Sequence, residues 1–241
     1  MLKKMEYEIK RKLVRLNNRQ CVDDIKKYIK YSYDFYHTKV PEIMILAKKL
    51  HEEYDLKSFY KVFNNLWKKG YHNSRVLAIT ALKFYKDDFD METWVFLKPK
   101  LKEIKGLEKV DSIGSEILGY IVLKHRELET EIINLSQNKN LWLRRMALVS
   151  TIPLIREKDF ELAFNLIKMH MHETEEPIQK TIGLLLKEIG DQDPELLKRF
   201  LIKNKLSKTA FYSATENIRS FRRLRHSLNS NKFGKWFFWK S

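Results

Sequence analysis

Apolar positions along the chain recur at three- and four-residue spacing, and alternating strand patterns are nearly absent, so helices are predicted almost throughout. The predicted helices themselves recur. One set begins near His72, Leu107, Asn140, Glu175 and Ser207, at steps of 35, 33, 35 and 32 residues. A partner set lies between them, at residues 56–68, 91–100, 127–136, 158–171 and 193–203. The connections are short and carry break signals, among them Lys69-Gly70, Lys105-Gly106 and the stretch from Gly190 to Pro194. A single helical hairpin cannot bury both of its apolar faces. Stacking on the next hairpin supplies the missing partner, which is the physics of an α-solenoid.

Within the repeats, a polar residue is followed three positions later by a small one, early in the second helix. The pairs are Arg75/Ala78, Asp111/Gly114 and Lys180/Gly183; Arg145 fits the register with Ala147 as its small neighbour. The small residue permits close helix approach, and the tetratricopeptide pattern is missing, so the units read as HEAT-like. The fold expected is therefore all-α, a superhelical HEAT-like repeat solenoid with a concave basic groove. It is expected to form one domain over residues 1–241, with a basic, aromatic tail at 226–241. Second helices line the inner face of such a stack, which places Arg75, Asp111, Arg145 and Lys180 in one row along the groove. A plainer alternative is that Arg75 and Arg145 pair with acids of neighbouring helices.

Charge sharpens this picture. Lys+Arg number 47 against 31 Asp+Glu, a formal net charge of +16. Eleven of the cations fall between Arg199 and Ser241, against one acid, Glu216. Such clustering is suited to a polyanion, most often nucleic acid, bound through counterion release. The rival reading is a lysine-rich surface with no polyanion partner. With only 7 Gly and 5 Pro there is no glycine-rich phosphate loop, and turn-rich β folds are disfavoured. One cysteine, Cys21, excludes an intrachain disulfide framework and a Cys-based zinc site. The charged first sixteen residues are unlike a signal peptide, and apolar runs such as 117–123 fall far short of a bilayer span. A soluble cytoplasmic protein, associated with the nucleoid through DNA, is expected.

Two short segments carry a family resemblance: LEKVDSIGSEILG at 107–119 and NLWLRRMAL at 140–148. They resemble the AlkD-like DNA alkylation repair family, HEAT-like-repeat glycosylases that remove alkylated purines. Weaker similarity lies in KVPEIMILAKKL at 39–50 and PIQKTIGLLLKE at 177–188. The resemblance implies that Asp111 is the catalytic aspartate, that Arg145 holds the DNA backbone beside it, and that Trp142, matching the tryptophan that opens the same helix, is a DNA-binding residue. Arg75, Arg144, Lys180 and Lys187 are expected to add DNA contacts. Two departures stand out. Leu107 and Leu184 occupy positions where the family pattern has aromatic walls.

The chemistry so implied suits these residue types. A purine alkylated at N3 or N7 is cationic, so its glycosidic bond is already labile and no leaving group needs protonation. As the bond breaks, the sugar becomes oxocarbenium-like. A carboxylate beside it stabilises that charge and orients the attacking water, as carboxylates do in glycoside hydrolysis. The expected partner is alkylated double-stranded DNA, bound by a monomer; no metal or organic cofactor and no membrane is called for. An alternative is a non-catalytic HEAT-repeat protein that binds the DNA backbone or branched DNA, and a third is a protein-binding or RNA-associated scaffold. Other features carry plainer readings. Asp111 taken alone suits the first turn of a helix, and Trp142 suits a core. His170 and His172 do not share a helix face, so a solvated helix end is favoured over a metal cluster. Tyr28, Tyr31, Tyr33, Phe35 and Tyr36 are expected mostly to pack repeats. The aromatic residues of the basic stretch 219–240 are expected to fold back onto the last repeat.

Overall fold

A computed structural model of the protein describes residues 41–68 and 72–216. The aromatic run at 28–36, the Lys69-Gly70 break and the basic tail, including 226–241, lie outside the described residues. The chain divides into two compact units, Met1–Asp88 and Phe89–Ser241. Among the described residues every regular element is helical, as the apolar spacing predicts.

The first unit contains α1 (Pro41–Glu53), α2 (Leu56–Lys68) and α3 (His72–Lys83), with α3 packed on both of the others. Aromatic side chains fill the seam. Phe59 stacks on Tyr85 with ring centroids 5.1 Å apart, and Phe63 stacks on Trp67 at 5.3 Å. The Tyr85 hydroxyl donates to the Tyr54 carbonyl at 2.6 Å, tying the α1–α2 junction to the end of α3. Burial of that hydroxyl pushes its pKa well above the ordinary tyrosine range.

The second unit carries the repeats in order. Its elements are α4 (Met91–Leu97), α5 (Leu107–Ile113), α6 (Gly119–Lys124), α7 (Glu129–Ser136), α8 (Leu141–Val149), α9 (Ile152–Arg156), α10 (Glu161–His170), α11 (Glu176–Gln192), α12 (Pro194–Lys203) and α13 (Lys208–Thr215). The recurring second helices pack in series: α8 on α5, α11 on α8 and α13 on α11. Their starts follow local chemistry. Gly106, at φ +90°, supplies the left-handed residue before α5. Asn140 Oδ1 accepts from Trp142 N at 2.9 Å, Asp193 Oδ1 from Leu196 N at 2.9 Å, and Ser207 Oγ from Ala210 N at 3.1 Å, capping α8, α12 and α13.

Two elements differ from the spacing alone. The helix predicted to run from Asn140 through Ile155 is split, because Pro153 cannot continue it: α8 ends at Val149 and α9 restarts with Pro153 in its first turn. The helix beginning at Leu107 passes through a π-helical turn, Gly114–Leu118, before α6 continues it. The break expected between Gly190 and Pro194 falls at Asp193, with Gly190 still inside α11.

The small residues do what their spacing suggests. A Cβ at Gly114 would lie 2.8 Å from the Met146 carbonyl oxygen on α8, and one at Gly183 would lie 2.7 Å from the Ala210 oxygen on α13. Glycine therefore lets successive second helices approach backbone to backbone, around a core that includes Ile113, Ile117, Met146, Leu148, Ile182 and Leu185. Gly114→Ala is expected to lower stability by about 1–3 kcal/mol, since the overpacking outweighs the better helix propensity of alanine. Chemical denaturation of the variant beside the wild type measures this.

Candidate active site

Asp111 sits on the last turns of α5, and the repeat spacing brings it against the side chain 34 positions later. Arg145 Nε donates to Asp111 Oδ1 at 2.7 Å and Arg145 Nη2 to Oδ2 at 2.6 Å, a bidentate pair between α5 and α8. Both residues are buried, Asp111 to 9% exposure and Arg145 to 5%. Arg145 Nη1, at the opposite corner of the guanidinium, donates to the Pro177 carbonyl at 2.8 Å and to Thr181 Oγ1 at 2.6 Å, both on α11. Four of the five guanidinium N–H groups are thus committed inside the protein.

Burial pushes the Asp111 carboxyl up from its ordinary range, and the hydrogen bonds and charge of Arg145 oppose that push. Both oxygens accept from the same guanidinium, which is the arrangement of an ionised carboxylate. Two of its roughly four lone-pair sites are used. Burial of the side chain is incomplete: 12% of it stays open to solvent.

The row of polar residues expected along the second helices is realised in part, with a slip of one position. Asp111 and Arg145 meet, but the third member is Thr181 rather than Lys180. Lys180 is exposed and pairs with Glu176 one helical turn back, at 2.8 Å. The signal for Thr181 was present in the spacing, since it lies 36 residues beyond Arg145; its neighbour's charge drew the expectation one residue short. Arg75 belongs to the first unit, where its guanidinium lies 4.6 Å from the Trp67 ring centroid.

The other cations are placed as follows. Arg144 is turned into the protein: Nη2 meets Glu173 at 3.1 Å and Glu175 at 2.8 Å, while Nη1 donates to the Asn138 and Lys139 carbonyls at 3.1 Å. Both guanidinium groups are thus turned to acceptors within the protein, and for Arg145 the plainer alternative, a pair with an acid of a neighbouring helix, is the arrangement present. Lys187 and Trp142 are half-buried. Leu107, one turn before Asp111 on α5, is 42% exposed, whereas Leu184 is half-buried.

His170 also differs from the solvated helix end expected of it. It is buried, with Nδ1 2.5 Å from Glu173 Oε1 and Nε2 3.1 Å from Ser136 Oγ. Its partner in the motif, His172, is exposed. Among the described residues no cluster of His, Cys, Asp and Glu has the arrangement of a metal site, and no helix is long and apolar enough to cross a membrane.

Serial helical hairpins, with a desolvated, arginine-held aspartate between two of their second helices, define a helical-repeat protein. The family follows from the sequence match. A family model described as DNA alkylation repair enzyme matches residues 9–218, and the chain belongs to that family. The fold is similar to that of a predicted DNA alkylation repair enzyme from Enterococcus faecalis, with a TM-score of 0.70 at 21% identity over 84% of this chain and 96% of that one. It is also similar to AlkD2 from Streptococcus mutans, with a TM-score of 0.59 at 17% identity over 87% of this chain and 99% of that one. No curated protein matches the chain.

Removing one member of the buried pair leaves the other uncompensated. Asp111→Ala and Arg145→Ala are each expected to cost about 3–5 kcal/mol, while the double variant Asp111→Leu/Arg145→Met regains most of that loss. Urea denaturation of the single and double variants measures both effects.

Proposed function

We propose that the protein excises cationic alkylated purines, of the 3-methyladenine or 7-methylguanine type, from double-stranded DNA by hydrolysing the N-glycosidic bond. The observation that carries this reading is the carboxylate of Asp111, on an incompletely buried side chain and oriented at two points by Arg145. A cationic base leaves without protonation, so the one charge the protein must meet is the positive charge that develops on the sugar. A fixed carboxylate meets it without reorganising during the reaction. Pairing with Arg145 weakens the field that Asp111 projects but sets its direction. The free lone pairs of the carboxylate are available to a water molecule on its way to the sugar carbon.

In this reading Arg145 acts on Asp111, and binding to the phosphate backbone rests on exposed cations such as Lys180 together with the strongly basic overall charge. A monomer with no metal or cofactor suffices for the reaction so written. Exposed Leu107 offers the substrate an aliphatic surface one turn from Asp111, so the cation–π contribution of an aromatic wall, about 0.5–2 kcal/mol, is forgone there.

The same Leu107 favours a second reading, in which a member of the repair family binds damaged or branched DNA without cutting it. Base release from methylated DNA separates the two. Wild-type protein is expected to release 3-methyladenine or 7-methylguanine, and Asp111→Asn to reduce the rate at least 100-fold while DNA affinity changes little. Binding of methylated DNA with no base released by the wild type supports the second reading instead.

The pH profile carries a further expectation. Asp111 must be ionised to act, and its pKa is raised by burial, so the acid limb of single-turnover excision is expected above pH ~4, the ordinary aspartate value. Rates fall as pH drops through that limb. A profile flat down to pH ~4 contradicts this role for Asp111.

A further inference from the structure

We infer that Thr181 is a positioning residue for Asp111, acting through the guanidinium of Arg145. Three consecutive second helices meet at this point. Asp111 comes from α5, Arg145 from α8 and Thr181 from α11. The guanidinium is planar, and its two faces of recognition are distinct: the Nε/Nη2 edge meets Asp111, while Nη1 projects the other way to α11. Thr181 is fully buried. Its hydroxyl donates to the Pro177 carbonyl at 2.7 Å, which leaves an oxygen lone pair to accept from Arg145 Nη1 at 2.6 Å. The hydroxyl is thereby fixed in its own orientation before it fixes the arginine.

The consequence follows from rigid-body geometry. With only the Asp111 edge held, the guanidinium and carboxylate can swing together about the arginine side chain. Two contacts with α11, from the Thr181 hydroxyl and the Pro177 carbonyl, hold the pair from outside; the hydroxyl also bonds that carbonyl, so losing it removes one anchor and loosens the other. Displacements of about 1 Å at a reacting group lower rates as much as 100-fold, so the anchor acts on catalysis without touching substrate. This role rests on the function proposed above for Asp111; the anchoring of Arg145 does not.

The test uses the full chain with Thr181→Val, which keeps the shape and removes the hydroxyl, and Thr181→Ser, which keeps the hydroxyl. Two readouts are taken. The first is the hydrogen exchange of the Arg145 Nε–H, followed by NMR of the guanidinium and assigned by its loss in Arg145→Lys. Thr181→Val is expected to speed that exchange at least tenfold, and Thr181→Ser to leave it near the wild-type value. The second is excision of methylated bases. Thr181→Val is expected to lower kcat about tenfold with KM little changed and to move the acid limb of the profile upward; Thr181→Ser restores both. Should Thr181→Val fail to fold, Thr181→Ala is judged by the same criteria. Unchanged exchange in the hydroxyl-free variant, or equal effects in the valine and serine variants, overturns the inference. If the wild type releases no base, the glycosylase reading fails, while the exchange measurement still decides whether Thr181 anchors Arg145.

Discussion

Two opposite charges withdrawn from water are the constraint around which the second unit is organised. Desolvating a carboxylate and a guanidinium costs several kcal/mol for each ion, and their attraction offsets this only when geometry is good and the remaining donors are satisfied. Asp111 and Arg145 satisfy one another at two points, and α11 takes the remaining corner of the guanidinium. Three hairpins must therefore hold one register at once. The glycines serve the same end: without the close approach at Gly114, α5 and α8 could not bring a short aspartate side chain to an arginine.

The same device recurs elsewhere in the unit. His170 reaches Ser136 across a separation of 34 residues, and Ser207 donates to the side-chain oxygen of Gln179 at 2.6 Å across 28. Gln179 in turn donates to the Glu173 carbonyl at 2.7 Å, and the Glu173 carboxylate bridges His170 and Arg144. These polar contacts lie in seams that are otherwise apolar. An apolar seam tolerates sliding by a turn, because leucine and isoleucine pack in many registers. A buried hydrogen bond does not, since a slip leaves its donor or acceptor without a partner at a cost of about 1–3 kcal/mol. Polar residues spaced by about one repeat thus set which turn of one hairpin faces which turn of the next.

This stapling bears on function. Arg144 and Arg145 hold the register of the repeats, and the Asp111 carboxylate takes its orientation from that same network. A carboxylate held by its neighbours is well placed to respond to charge on a substrate, but it depends on residues two helices away. Family membership and an all-helical repeat architecture set the frame. Within that frame this chain carries leucines at 107 and 184 and a Thr181 contact to Arg145.

Much of the fold was legible from spacing, because each helix depends on local preferences: apolar residues at three and four, Asn140, Asp193 and Ser207 as caps, Gly106 at a left-handed position. The glycines at 114 and 183 announced close packing for the same reason. The recurrence also put Asp111 and Arg145 in one row. Pairing between them, the substitution of Thr181 for Lys180 in that row, the burial of His170 and the inward turn of Arg144 were decided only by tertiary structure. One residue along a helix rotates a side chain by about 100°, so a repeat length known to within a residue names the neighbourhood but not the partner. Whether a charged side chain meets water or another side chain depends on groups some thirty positions away, and that distance closes only when the hairpins stack.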